Sequence, residues 1–266
     1  MRWVTFDQGN SSLKWCLWEA TAGAPASVIL RGRTGDGSLE VELVELGEQL
    51  AGAPVEAALY CGVTGEVGET SVRACWETIS GGMPWREPTA EIESECDDPE
   101  AVGGDRRFAA LAAFDLLGEA LVVDAGTALT VDAVGSGPTF LGGAIAPGPK
   151  VLAEALERAG AKLIAIKPSP GARALGRSTA EALGAGISVG FEGAAARLVS
   201  EVSREAALES APVLLTGGAR SFLKGEALFG ERPVHVFADL VHLGMLVSVG
   251  VKAELQEEPW PSSFGS

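Results

Sequence analysis

The chain has 266 residues, 47% hydrophobic and 21% charged, which is enough apolar content for one large domain or two of ordinary size. Its net charge of −16 repels nucleic acid and anionic membranes, so an anionic ligand must be caught by local groups against an unfavourable field. Four cysteines without a Cys-x-x-Cys pair, beside only two histidines, speak against a structural zinc site. The opening MRWVTFDQGN meets Asp7 before an apolar stretch of signal-peptide kind can form, and no run of about 18 apolar residues follows. A cytoplasmic location, with neither nucleic acid nor membrane as partner, is the expectation.

In chain order, RWVTF reads as a strand, DQGNSS as a turn and LKWCLWEA as a second strand, with SVILRGRT continuing in strand character. LEVELVELGEQLAG reads as a helix over residues 39–52, VEAALYCGVT as a buried strand and ETSVRACWETI as a helix. AEIESECDDPEAVGGD is acidic and irregular, the pattern of a solvated loop. RRFAALAAFDLLG reads as a helix, and ALVVDAGTALTVDAV as strand, glycine turn and strand. TFLGGAIAPG adds a strand and glycine loop before the helix PKVLAEALERAG. Beyond the proline-broken KPSPGARALGR comes a long helix from Thr179 to about Ala207. PVLLTGGARSFL feeds a strand into a third glycine turn, and VHVFADLVHLGMLVSVGVKAEL closes with a strand and a helix. Strands alternating with helices predict α/β layers.

One echo organises the chain. VTFDQGNSSLKW and LVVDAGTALTVD share an apolar strand, an Asp, a Gly two residues on and a polar residue after it; Asp7 and Asp124 stand 117 residues apart. A duplicated domain would place them so, which sets expected domains at 1–117 and 118–266. Glycine lets the backbone approach a ligand and present its amides to phosphate, with Asn10, Ser11, Ser12 and Thr127 as side-chain donors. Asp7 and Asp124 would repel phosphate unless a cation lies between acid and phosphate, so the matched pair predicts a cation-linked phosphate site rather than two plain hairpins.

GGDRRFAALAAF places Asp105 where it can cap a helix or act as a general base, while Arg106 and Arg107 oppose the helix dipole and suit an acidic substrate. Ser178 three residues before Glu181 is a capping box, with Thr179 in the first turn. Glycines 184, 186, 190 and 193 would let another helix approach closely. His235, His242, Cys16 and Cys61 lie in apolar segments and read as core or surface residues.

Taken in order, DQGNSS, GGDRR, VVDAGTALTVD, FLGGAIAPG, GRSTAEALGAG and LLTGG closely resemble the type III pantothenate kinases. These belong to the superfamily of acetate and sugar kinases and actin, and the match runs over roughly residues 4–250. The resemblance implies two ribonuclease-H-like (actin-like ATPase) domains, each a mixed sheet with flanking helices. It implies ATP-dependent phosphorylation of pantothenate at its terminal hydroxyl, the first step toward coenzyme A, with Mg2+ and a monovalent cation, K+ or NH4+. It makes Asp7, Gln8, Gly9, Asn10, Ser11, Ser12, Leu13 and Lys14 the first ATP-phosphate segment, Asp7 helping to place magnesium, and Thr127 a second ATP contact. Gly103, Gly104, Asp105 and Arg106 would hold pantothenate, with Asp105 as proton acceptor. Asp124 corresponds to the monovalent-cation ligand and Thr179 to a substrate contact, in a homodimer. Cys96 and Asp98 stand where the family usually carries a tyrosine and the asparagine of an Asn-Pro pair. A regulatory homologue of the transcriptional accessory type, or a kinase of another small hydroxy-acid or sugar, is the alternative.

Overall fold

The computed structural model of the chain describes residues 1–34, 43–50, 55–63, 65–160 and 165–260. Its strands are β1 (Arg2–Gln8), β2 (Leu13–Glu19), β3 (Ser27–Arg33), β4 (Ala57–Gly62), β5 (Trp85–Arg86), β6 (Glu93–Ser94), β7 (Ala120–Ala125), β8 (Ala128–Val134), β9 (Thr139–Pro147), β10 (Val213–Thr216) and β11 (Val234–Val236). Its α-helices are α1 (Val44–Leu50), α2 (Gly65–Ser80), α3 (Gly104–Leu117), α4 (Pro149–Ala159), α5 (Thr179–Glu205) and α6 (Leu240–Ser248). Two compact units result: Met1–Glu93, Asp97–Asp115 and Asp239–Gln256 form one; Ser94–Cys96, Leu116–Ala238 and Glu257–Ser266 form the other.

In the first unit the sheet order is β3-β2-β1-β4-β5, with β1 antiparallel to β2 and parallel to β4. Side chains alternate across a strand, so β1 sends Val4 and Phe6 to one face and Thr5 and Asp7 to the other. The apolar face packs Phe6, Trp15, Leu17 and Tyr60 against Leu46 of α1 and Val72 and Trp76 of α2. Phe6 and Tyr60 both stack on Trp85, which fastens the short edge strand β5. Trp15 lies flat over Gly32 of β3, where a Cβ would stand 2.3 Å from the ring, so only glycine fits opposite it. The other face carries Thr5, Asp7, Lys14, Cys16 and Cys61, and α6 packs on its strands β1 and β4.

The second unit repeats this plan. Its sheet order is β11-β10-β7-β8-β9-β6, with β7 antiparallel to β8 and parallel to β10. Leu121, Val123, Leu129 and Leu215 of this sheet meet Phe191, Ala195 and Val199 of α5 in one core. Helix α5 has the length and apolarity of a membrane span, yet these three residues are buried in the core of its own unit. The fold is thus α/β, two mixed sheets with flanking helices.

Local differences from the sequence reading have physical causes. The chain returns after Ala238, because α6 buries Leu240, Leu243, Met245 and Leu246; residues 239–256 therefore join the first unit. The acidic stretch is partly ordered: Glu95 donates its amide to Phe140 O at 3.0 Å, and Pro99–Ala101 makes one 3-10 turn. The helix expected over 39–52 is seen as Val44–Leu50, and residues 39–42 and 51–52 lie outside the described residues.

Candidate active site

Register brings the polar residues of the first unit together. Asp7 pairs across the sheet with Lys14 on β2 and with Cys61 on β4. Lys14 Nζ stands 3.1 Å from Asp7 Oδ2, and the carboxylate is nearly buried. The turn beyond uses some of its own donors. Gly9 N–H donates to Ser12 O at 3.1 Å, and Leu13 N–H to Thr34 Oγ1 at 2.9 Å, while the Leu13 side chain sits in the core. Arg33 Nε donates to Ser12 Oγ at 3.0 Å, and Tyr60 O–H to Gln8 Oε1 at 2.8 Å. Asn10 and Ser11 are the exposed tip.

Helix α3 begins against the end of β4. A Cβ on Gly104 would lie 3.2 Å from Cys61 Sγ, and one on Gly103 would lie 2.5 Å from Asp105 Oδ1, so the two glycines make room for thiol and carboxylate. Asp105 lies inside the first turn, because the helix starts at Gly104; it is not the N-cap that the sequence allowed. Its Oδ1 accepts a hydrogen bond from Arg106 N–H at 2.9 Å. Burial raises the Asp105 pKa above the ordinary carboxylate value; the Arg106 amide pulls it back, Asp7 adds to the rise, and Arg106 and Lys14 oppose it. Burial, then the charges of Asp7 and Asp105, push the Cys61 thiol far above its usual range. Cys61 is therefore a neutral spacer between two carboxylates, a role its apolar strand did not disclose. Arg107 Nη2 donates to Ala90 O at 3.0 Å, which accounts for the second cation of the pair.

In the second unit, Asp124 ends β7 with Thr130 opposite on β8 and Thr216 on β10. Its Oδ1 is bracketed by glycine turns: a Cβ on Gly126 would come within 3.2 Å of it, and one on Gly217 within 2.3 Å. Gly217 also has a φ of +95° and lies over Ala125 O, so this position requires glycine twice over. Thr127 is exposed at the tip of the same hairpin. Thr179 is the exposed first residue of α5, where Glu181 N–H donates to Ser178 Oγ at 3.2 Å and Arg177 N–H to Glu181 Oε2 at 2.6 Å. The geometry thus groups Asp7, Lys14, Cys61 and Asp105 in one unit, and Asp124, Thr127 and Gly217 in the other, with Thr179 on a capping box. The first group offers oxygen donors for a hard divalent cation and a base; the second offers a carboxylate between close-packed backbones.

Comparison with known proteins points the same way. Residues 3–201 match the family model of type III pantothenate kinase. A type III pantothenate kinase of Akkermansia muciniphila is 30% identical over 252 residues, 94% of this chain and 99% of the relative. One from Streptomyces avermitilis is 42% identical over 134 residues, about half of each chain (49% and 51%). Among solved structures, a protein of Campylobacter jejuni assigned to the Baf family of transcriptional activators superposes with a TM-score of 0.54 at 18% identity, covering 93% of this chain and 97% of its own. A 2-dehydro-3-deoxygalactonokinase candidate of Sinorhizobium meliloti gives 0.52 at 15% identity, with 93% and 95% covered. At such identities these two structures bear on the fold alone.

Proposed function

The chain belongs to the type III pantothenate kinase family, phosphotransferases that phosphorylate pantothenate in coenzyme A biosynthesis with ATP and a divalent metal, and we propose how its residues share that reaction. Asp105 is the base that takes the proton of the attacking hydroxyl. The observation that carries this role is a half-buried carboxylate at a helix start beside Cys61, its pKa raised by desolvation and by the charge of Asp7. Phosphoryl transfer asks little covalent help of the protein, so most of the rate comes from positioning and charge, and a placed base adds about 10²–10⁴-fold. Gly103 and Gly104 leave room for the Asp105 carboxylate and the Cys61 thiol and help to hold pantothenate, and Arg106 pairs with its polar arm or carboxylate.

Gln8 to Lys14 serve the ATP phosphates, through the exposed Asn10 and Ser11 and the Lys14 ammonium; Leu13 contributes by packing the turn on the core. Magnesium supplies charge neutralisation on the phosphates when bound, and Asp7, an acid at a strand end already paired with Lys14, is the residue fitted to hold it through water. Asp124 is fitted to potassium or ammonium, since hard cations take oxygen ligands and neutral threonines stand opposite it on both neighbouring strands. Thr127 is a further phosphate donor and Thr179 a substrate contact. A Cβ added at positions 184, 186, 190 or 193 of α5 would meet nothing within 4 Å, room that a second copy's helix would use in a homodimer. The cytoplasm is the compartment we assign.

The test is the pH profile of kcat/KM for pantothenate. Its acid limb should lie above about pH 4, the ordinary carboxylate range, and disappear in Asp105→Asn. A limb unchanged in that variant contradicts Asp105 as the base.

A further inference from the structure

Beneath Asp7, on the same face of the first sheet, three side chains converge that the kinase reaction does not use. Cys16 of β2 lies opposite Thr5; Asp239 is the residue before α6 and His242 is in its first turn, three residues on. Cys16 Sγ, an Asp239 carboxylate oxygen and a His242 ring nitrogen all lie within 4.8 Å of one another. All three residues are buried, at 1%, 8% and 1% exposure. We propose that Cys16, Asp239 and His242 form a binding site for a divalent transition metal, zinc(II), that ties the β1–β2 hairpin to α6.

The hydrogen bonding around His242 suits a ligand. Trp18 Nε1–H can only donate, and it gives its proton to Thr5 Oγ1 at 2.9 Å. His242 Nδ1 stands 2.8 Å from the same oxygen, which has a second lone pair to accept an Nδ1–H. That tautomer leaves Nε2 with its lone pair, and Nε2 is buried without a hydrogen-bond partner among the described residues. A ring held by one nitrogen while the other keeps its lone pair is the usual state of a metal-binding histidine.

The charges also close. Without metal, Cys16 is a thiol, the ordinary state of a cysteine below its unperturbed pKa of about 8.5. Zinc(II) displaces that proton to solvent, and thiolate plus carboxylate balance the ion's two positive charges in a buried site. Arg31 Nη1 lies 3.3 Å from Asp239 Oδ2 and can stay there, since a carboxylate ligates through one oxygen while its other is held by a cation. The Arg31 side chain is half-exposed, which leaves a way in from solvent. Sulfur, nitrogen and oxygen donors together suit zinc better than magnesium or calcium, and water can fill the fourth tetrahedral position.

The site would act on α6. A Cβ on Gly244 would stand 2.0 Å from Phe108 O, so α6 lies directly on the backbone of α3, the helix that carries Asp105. A metal pinning α6 to β2 thereby holds α3 in place.

The experiment uses tag-free full-length protein, stripped with a chelator and titrated with zinc(II) or cobalt(II), without ATP or magnesium. Expected are one equivalent of metal per chain, a near-ultraviolet thiolate-to-cobalt band, and a rise in Tm of about 5 °C at hundredfold excess zinc over its dissociation constant. Cys16→Ser should abolish the band, and His242→Gln should weaken zinc binding by at least about 10–100-fold. If Cys16→Ser does not fold, a Cys61→Ser/Cys75→Ser/Cys96→Ser chain, whose one thiol is Cys16, must still give the band. No band in the wild type, a band that survives Cys16→Ser, or a band lost from the chain that keeps only Cys16 overturns the proposal.

Discussion

The two strand-turn-strand units built around Asp7 and Asp124 share a plan and differ in what faces the acid. In each, the Asp-bearing strand lies between an antiparallel hairpin partner and a parallel strand. Opposite Asp7 stand Lys14 and Cys61; opposite Asp124 stand Thr130 and Thr216. The first acid is compensated by an ammonium and has a second carboxylate as neighbour, whereas the second faces neutral hydroxyl residues and is squeezed between glycine turns. The same backbone device thus frames two surroundings: an acid paired with an ammonium beside a second carboxylate, and an acid set between hydroxyl residues and close-packed glycine turns.

The largest expected effect separates the base from the scaffold. Asp105→Asn should cost about 10²–10⁴-fold in kcat. It should also melt higher than wild type at neutral pH. A carboxylate whose folded pKa is raised contributes stability below its unfolded pKa and loses it as pH rises through the folded one, so removing the charge relieves the cost. The Tm difference should vanish as pH falls below about 4, and a difference independent of pH would break this reading.

Lys14→Ala and Asp124→Asn should divide along the comparison. Removing Lys14 should raise KM for ATP on the order of 10–100-fold, the worth of a charge-assisted contact. Asp124→Asn should remove the rate response to potassium while Lys14→Ala retains it; equal behaviour in a potassium titration would erase the distinction between the two acids.

The two glycine turns offer a smaller contrast. Gly217→Ala should lose about 1–3 kcal/mol in denaturant unfolding, from positive φ and collision with Ala125 O. Gly9→Ala meets nothing nearer than Ser12 O at 3.8 Å and should shift stability by less than about 0.5 kcal/mol. If Gly9→Ala nevertheless raises KM for ATP, the space at Gly9 belongs to the nucleotide. Ser178→Ala should cost about 1 kcal/mol through the lost cap, the smallest effect with a clear signal.

Much of this was legible in order along the chain. The echo of Asp7 in Asp124 foretold two related sheets, because period-2 apolar strands and a glycine turn are local signals. Asp105 stood out through the unfavourable pair of arginines beside it, though the helix starts two residues earlier than a cap there would need. Cys61, Cys16, Asp239 and His242 were illegible because register, not spacing, creates their neighbourhoods. Cys61 meets Asp7 across a parallel pair 54 residues distant (61 − 7), and Cys16 meets His242 only because the chain returns with α6.

The most direct measurement is the product itself. Purified protein with ATP, magnesium and potassium should convert pantothenate to 4′-phosphopantothenate, seen by mass spectrometry, with one ATP consumed per product and at least about a hundredfold less product from Asp105→Asn in the same time. Absence of that product from folded wild-type protein across pantothenate concentrations and cations, or faster phosphorylation of a different small hydroxy-acid or sugar, would contradict the account.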